Sequence, residues 1–330
     1  MKLRILLSAL IIAAVFITSA SAFPLTITDD YGYNSVIDNE PQTIVSLAPS
    51  NTEILFALFL GDKVIGDTTY CYYPEEAKNK TKIGGYSTIS IEKITALNPD
   101  IIFANGLNGQ ENIDHLRQLG FTVIVIDQNT IADVYKAINT IGSACGKEKE
   151  AADLIGDMKN KIDEITKKVS SAETKPKVMH AMSVDPYWIS GGNTFQDELI
   201  ALAGGQNAFS DVDGWGTVTL EKLITTDPEI ILTDPGADMG TVGENTLQQA
   251  FFKDSRLASI TAVKNNDVYV IDADIFDRGG PRLTEALEKV AELIHPEIFG
   301  ETPKEETTKS PAPILAMAVG LIFAAVIIRK

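Results

Sequence analysis

The chain is poor in residues that carry covalent chemistry. Across 330 residues it has two cysteines and three histidines. His115, His180 and His295 are widely spaced and adjoin neither cysteine nor clustered carboxylates, so no metal site of ordinary spacing is expected. Cys71 and Cys145 are too few for a disulfide framework. They leave two options open, a single bridge or two buried free thiols. No Gly-x-Ser-x-Gly, phosphate-binding glycine loop or dinucleotide fingerprint occurs. A hydrolase or oxidoreductase needs a nucleophile–base pair that the sequence does not suggest, so no catalytic residue and no cofactor is expected. Basic residues are also short, 28 against 45 acidic ones, for a net charge of −17. Such an excess of acid argues against nucleic acid and anionic lipid as partners, and suits solubility outside the cell or docking to a basic surface.

Long apolar runs are confined to the two ends. Lys2 and Arg4 precede an apolar stretch at 5–17, and Ala20-Ser21-Ala22 is a small-x-small cleavage site. Residues 1–22 are therefore expected to be a signal peptide. No cysteine follows that stretch, so a lipidated amino terminus is not indicated. At the other end, 301–311 carries no large apolar residue and reads as a flexible stalk. Residues 312–328 then run without a charge, closed by Arg329-Lys330. As a helix this stretch would span roughly 26 Å, enough for a membrane anchor over 312–330 with a cytoplasmic basic end. The tail resembles the stalk–signal–helix–basic tails of archaeal surface proteins, although Pro311-Ala312-Pro313 departs from their Pro-Gly-Phe signal.

Between the ends a motif is written twice. Gly85-Tyr86-Ser87-Thr88-Ile89-Ser90-Ile91-Glu92-Lys93-Ile94 leads to Asn98-Pro99-Asp100-Ile101-Ile102. Gly214-Trp215-Gly216-Thr217-Val218-Thr219-Leu220-Glu221-Lys222-Leu223 leads to Asp227-Pro228-Glu229-Ile230-Ile231. The copies are offset by 129 residues without a gap. Self-similarity on that scale predicts two lobes of one design, with ligand held between them. It sets an aromatic ring, Tyr86 or Trp215, and a glutamate, Glu92 or Glu221, at matching places in each lobe.

Short apolar β-branched runs alternate with helical patterns, predicting α/β lobes with parallel sheets. Strands are expected over 43–47, 100–104, 122–126, 177–183, 229–233 and 267–271. Helices are expected over 113–119, 131–143, 196–203 and 283–294, and a capping box at Ser50 and Glu53 opens another. Over 147–169, Ala151, Leu154, Met158, Ile162, Ile165 and Val169 recur at helical spacing. That predicts one long helix between lobes and only small closure motions. The domain reading is an amino-terminal lobe over 23–145, a connecting helix over 146–172 and a carboxy-terminal lobe over 173–300.

These features resemble the helix-linked class of periplasmic binding proteins, which serve ATP-driven importers of vitamin B12, iron-siderophores and haem. Residues 44–53 (IVSLAPSNTE) resemble that family's opening strand and helix, Ile91-Glu92-Lys93-Ile94 through Ile102 its middle signature, and Ala203-Gly204-Gly205-Gln206-Asn207 its second-lobe signature. The resemblance implies two Rossmann-like α/β lobes joined by one long helix, with the ligand cleft between lobes. It also implies that Glu92 and Glu221 pair with arginines of a permease that works with its ATPase. Two carboxylates on opposite lobes would fix orientation by accepting bidentate arginine contacts. Each also suits the first turn of a helix, capped by Ser90 or Thr219.

Tyr86 and Trp215 are expected to face the cleft. Tyr70, in Thr69-Tyr70-Cys71-Tyr72-Tyr73-Pro74, resembles the tyrosine loop of B12-binding members. Trp188 sits where binding residues of open α/β sheets gather. Large rings with few rotatable bonds suit a broad flat ligand. The segment Asp274-Ile275-Phe276-Asp277-Arg278-Gly279-Gly280-Pro281-Arg282 resembles the part of B12 binders where Asp and Arg meet the corrinoid, marking Asp274 and Arg278. The expected ligand is a corrinoid or an iron chelate, with cobalamin-like ligands preferred over iron-siderophore or haem. The expected protein is a monomer. An anchored sensor or surface-interaction protein without a permease is the reading from another class.

Overall fold

The computed structural model describes residues 23–236 and 245–300. The expected signal peptide, stalk and carboxy-terminal anchor lie outside the described residues. Among the described residues no helix is long and apolar enough to cross a membrane.

A hairpin of β1 (Leu25–Thr28) and β2 (Asn34–Ile37) precedes the first sheet. That sheet holds β3 (Ile44–Ser46), β4 (Val64–Asp67), β5 (Thr81–Lys82), β6 (Ile101–Ala104) and β7 (Val123–Val125), ordered β5-β4-β3-β6-β7 and parallel throughout. Every residue of β3, β6 and β7 is buried, as expected when helices cover both faces. The helices are α1 (Pro49–Ala57), α2 (Ile91–Leu97), α3 (Gln110–Gln118) and α4 (Ile131–Ala144). The expected capping box at Ser50 does not form. Pro49 lacks an N–H and suits the first helical position, so α1 begins two residues earlier, with Ala48 as an N-cap that makes no side-chain bond. Glu53 is thereby released from capping and is buried.

The connecting helix α5 (Glu148–Val169) has 22 residues, about 33 Å of rise. It buries Ala151, Ile155, Met158, Ile162, Ile165 and Val169. Ile155 takes the inward position expected of Leu154, which lies on the flank.

The second sheet comprises β8 (Lys177–Val184), β9 (Tyr187–Ser190), β10 (Gln206–Asn207), β11 (Trp215–Val218), β12 (Ile230–Thr233) and β13 (Val268–Val270). Its order is β11-β9-β8-β12-β13, with β10 beside β8. It is mixed, not parallel, because β9 runs antiparallel to both β8 and β11. The tight connection at Asp185-Pro186 returns the chain at once, and so short a link can join only antiparallel neighbours. Helices α6 (Phe195–Leu202), α7 (Leu220–Thr226), α8 (Thr246–Lys253), α9 (Thr261–Asn265), α10 (Ala273–Phe276), α11 (Leu283–Ile294) and α12 (Pro296–Phe299) complete the lobe.

The duplicated motif folds the same way twice. Ser90 caps α2 by accepting the Lys93 N–H, and Thr219 caps α7 by accepting the Lys222 N–H. Both helices end at a left-handed residue, Asn98 at φ 47° and Asp227 at φ 49°, followed by proline. Each helix buries one residue, Ile94 or Leu223, and leads into a fully buried strand, β6 or β12.

Separate apolar clusters lie on the outer side of each sheet. A third runs through both lobes, joining Ile54 and Leu55 of α1, Ile138 and Ile141 of α4, the inward face of α5, Leu199 of α6 and Leu287 and Val290 of α11. The lobes therefore share a core as well as a helix.

Candidate ligand-binding and docking site

In the first lobe the loop after β4 carries Tyr70, and the loop before α2 carries Tyr86. Their rings stack with centroids 5.3 Å apart and planes inclined by 23°. A Cβ at Gly85 would touch the Tyr70 ring at 3.4 Å and crowd Thr88 Oγ1 at 2.8 Å. Asn108, fully buried, holds the Tyr86 segment by donating from Nδ2 to the carbonyls of Leu47 at 2.9 Å and Tyr86 at 3.1 Å. Burial pushes the Tyr86 phenol well above its ordinary range.

Arg278 follows α10 in the second lobe and reaches into the first. Its Nη2 donates to Asp274 Oδ1 at 2.7 Å and to the Tyr72 hydroxyl at 2.8 Å, and its Nη1 donates to Glu53 Oε1 at 3.2 Å. The Tyr72 hydroxyl donates to the same Asp274 oxygen at 2.5 Å. The guanidinium carbon stands 4.8 Å from the centre of the Tyr72 ring. All of this is nearly sealed, with Arg278 5% exposed, Glu53 3% and Asp274 9%. Arg282 stacks over Tyr73 at 4.0 Å and approaches Glu53 to 3.8 Å. Burial outweighs both arginines and raises the Glu53 carboxyl to about 7. In this structure Asp274 and Arg278, expected to meet ligand, form a polar tie between the lobes. Glu53, Tyr72 and Asn108 are members of the site that the sequence reading missed. A glutamate inside the apolar opening of α1 was the available signal for Glu53.

In the second lobe Trp188 lies opposite Thr217, and Trp215 opposite Ser190. Cross-strand partners share a sheet face, so both tryptophans stand on one face as diagonal neighbours. Trp188 is 41% exposed, whereas Tyr187 points to the other side and is buried against Phe251. The Trp215 ring meets the His180 imidazole edge-on at 5.8 Å, and His180 meets Phe276 at 4.8 Å. His180 is fully buried, with Nδ1 3.1 Å from Ser190 Oγ and Nε2 3.3 Å from Asp234 Oδ1. Asp277 Oδ1 lies 3.8 Å from the same Nε2. Among the described residues, His180, Asp234 and Asp277 are the one group placed to hold a metal ion.

Glu92 and Glu221 occupy the same turn of α2 and α7, and both are exposed. No described residue forms a salt bridge with either carboxylate at the separations that define the other ion pairs here. Cys71 and Cys145 are buried free thiols, not a bridge. Cys71 accepts from Thr52 Oγ1 at 3.1 Å inside the tyrosine loop, while Cys145 ends α4 within the shared core. A cavity of about 860 Å³ borders Glu53 from the side of Phe56, Phe59, Tyr73, Lys80 and Arg282. Tyr70, Tyr86, Trp188, Trp215, Asp274 and Arg278 do not line it.

Two α/β lobes on a shared core, with clustered rings in each and paired exposed glutamates, form the frame of a binding protein. The Periplasmic binding protein family matches residues 44–275, and the chain belongs to that family. Over 84% of its length, and 88% of the relative's, it is 37% identical to the uncharacterized ABC transporter substrate-binding lipoprotein YvrC of Bacillus subtilis. It is similar in structure to the periplasmic vitamin B12 binding protein BtuF of Vibrio cholerae, with TM-score 0.65 and 27% identity, covering 77% of this chain and 96% of that one. It is also similar to the periplasmic heme-binding protein RhuT from Roseiflexus sp. RS-1, with TM-score 0.69 and 25% identity, covering 78% and 99%.

Proposed function

We propose that the chain, as the substrate-binding protein of an ABC importer, captures a corrinoid of the cobalamin type and delivers it to a permease. The observation that carries this reading is the pairing of ring surfaces. Tyr70 and Tyr86 stack in the first lobe, and Trp188 and Trp215 share one sheet face in the second. Broad planar ligands gain most from such rigid rings. Similarity to a vitamin B12 binding protein supports the same choice. Arg278 and Asp274 then act at the junction of the lobes, and a ligand with amide side chains can exchange hydrogen bonds with them.

Glu92 and Glu221 are the docking groups in this reading. Two exposed carboxylates on equivalent helices of the two lobes are suited to bidentate arginine contacts. The protein works outside the cytoplasm as a monomer, exported by residues 1–22 and tethered by 312–330. Titration with cyanocobalamin, ferric siderophores and haem, followed by tryptophan fluorescence, tests the ligand. A saturable response to cyanocobalamin is expected. Silence with every corrinoid and a response to a ferric chelate or to haem would overturn the corrinoid assignment. Unchanged uptake when both glutamates are removed would favour an anchored sensor instead.

A further inference from the structure

The geometry points to a binding site for one divalent transition-metal cation, of the zinc type, formed by His180, Asp234 and Asp277 inside the second lobe. These residues come from β8, the end of β12 and the turn after α10, and one ligand atom from each lies within 4.8 Å of the others. Four-coordinate zinc holds nitrogen and oxygen at about 2.0–2.2 Å, which places neighbouring donor atoms roughly 3.3–3.5 Å apart. The separations here are 3.3 Å from His180 Nε2 to Asp234 Oδ1 and 3.8 Å to Asp277 Oδ1. The histidine has the outer partner that a ligand needs. With Nδ1–H donating to Ser190 Oγ, the Nε2 lone pair faces the two carboxylates.

A second observation points the same way. Asp277 Oδ2 and Gln196 Oε1 are buried without a hydrogen-bond partner, in a protein whose other buried polar groups are mostly satisfied. Gln196 is fully buried and already touches Asp277, its Nε2 lying 3.1 Å from Oδ1. Three protein ligands leave the fourth position of a tetrahedral site to a water. The two carboxyl side chains are nearly enclosed, Asp234 at 7% exposure and Asp277 at 3%. Trp215 and Phe276 pack directly on the His180 ring, so occupancy would stiffen the ring face of this lobe.

The test uses the full chain in mild detergent, stripped with chelator and dialysed. Titration with Co²⁺ should give the intense visible absorption of four-coordinate cobalt with one ion per chain, and Zn²⁺ should displace it. Asp277→Asn should lower Zn²⁺ affinity by more than about 100-fold, beyond the loss typical of outer-shell partners. Ser190→Ala should lower it by about 10-fold while keeping the cobalt spectrum. Only weak octahedral cobalt absorption in the unsubstituted chain would overturn the proposal, whether or not any variant folds. Equal Zn²⁺ binding by Asp277→Asn and the unsubstituted chain would overturn it too, since the ions would then sit on surface carboxylates.

Discussion

Replacing Glu53 by glutamine removes one buried negative charge while keeping an oxygen that can accept from Arg278 Nη1. Folded, Glu53 holds its proton up to about pH 7, whereas its ordinary value is 4.5. Between those values the folded chain binds more protons than the unfolded chain. Stability from this group therefore falls as pH rises through that window, and the loss is complete above about 7. The interval is worth about 3 kcal/mol at full expression. In a chain of this size that is a melting shift of roughly 5 °C. Glu53→Gln should accordingly gain on the unsubstituted chain as pH rises from 5 to 8, by about that amount. The assay is thermal unfolding followed by far-UV circular dichroism at several pH values. Other buried carboxyls, such as Asp67, which is raised to about 6, contribute to both chains and cancel in the comparison. A difference between the two chains that stays constant from pH 5 to pH 8 would refute the burial argument.

Further outcomes follow from the same contacts. Arg278→Ala strands Glu53 and Asp274 without their cation and should cost about 3–5 kcal/mol at pH 8, read by denaturant unfolding. An unchanged midpoint would mean that the tie between lobes is not formed in solution. Trp215→Ala removes a rigid surface, and if a flat ligand covers about 100 Å² of the ring, binding should weaken by about 2.5 kcal/mol, near 60-fold. A titration of cyanocobalamin against the variant checks this. Glu92→Ala combined with Glu221→Ala should abolish uptake with the permease while leaving the ligand dissociation constant unchanged; weakened binding would place those groups in the ligand site instead. Cys71→Ser should leave the pattern of non-reducing electrophoresis unchanged, because neither thiol is bridged.

The elements most legible in advance were those with local causes. The duplicated Ser-Ile-Glu-Lys and Thr-Leu-Glu-Lys runs predicted matched helix starts, and Ser90 and Thr219 do cap them. Helix α11 falls where the apolar spacing put it, at Leu283–Ile294. The second sheet was misjudged because a hairpin of two apolar strands has the same local pattern as a single strand with a bend. Only the pairing of Trp188 with both Ser183 and Thr217 reveals β9 as antiparallel. The role of Ser50 was misjudged because Pro49 competes for the helix start.

What the sequence determined unaided is the two-lobed design, the long helix and the positions of paired rings and paired glutamates, because repeats and periodicity are properties of neighbouring residues. What only the tertiary structure decided is which distant groups meet. Arg278 finds Glu53 across 225 residues and Tyr72 across 206. His180 finds Asp234 across 54. Such meetings depend on how two sheets and a shared core bring loops together. They also settle which charges lose their water, and burial of that kind leaves no mark on local spacing.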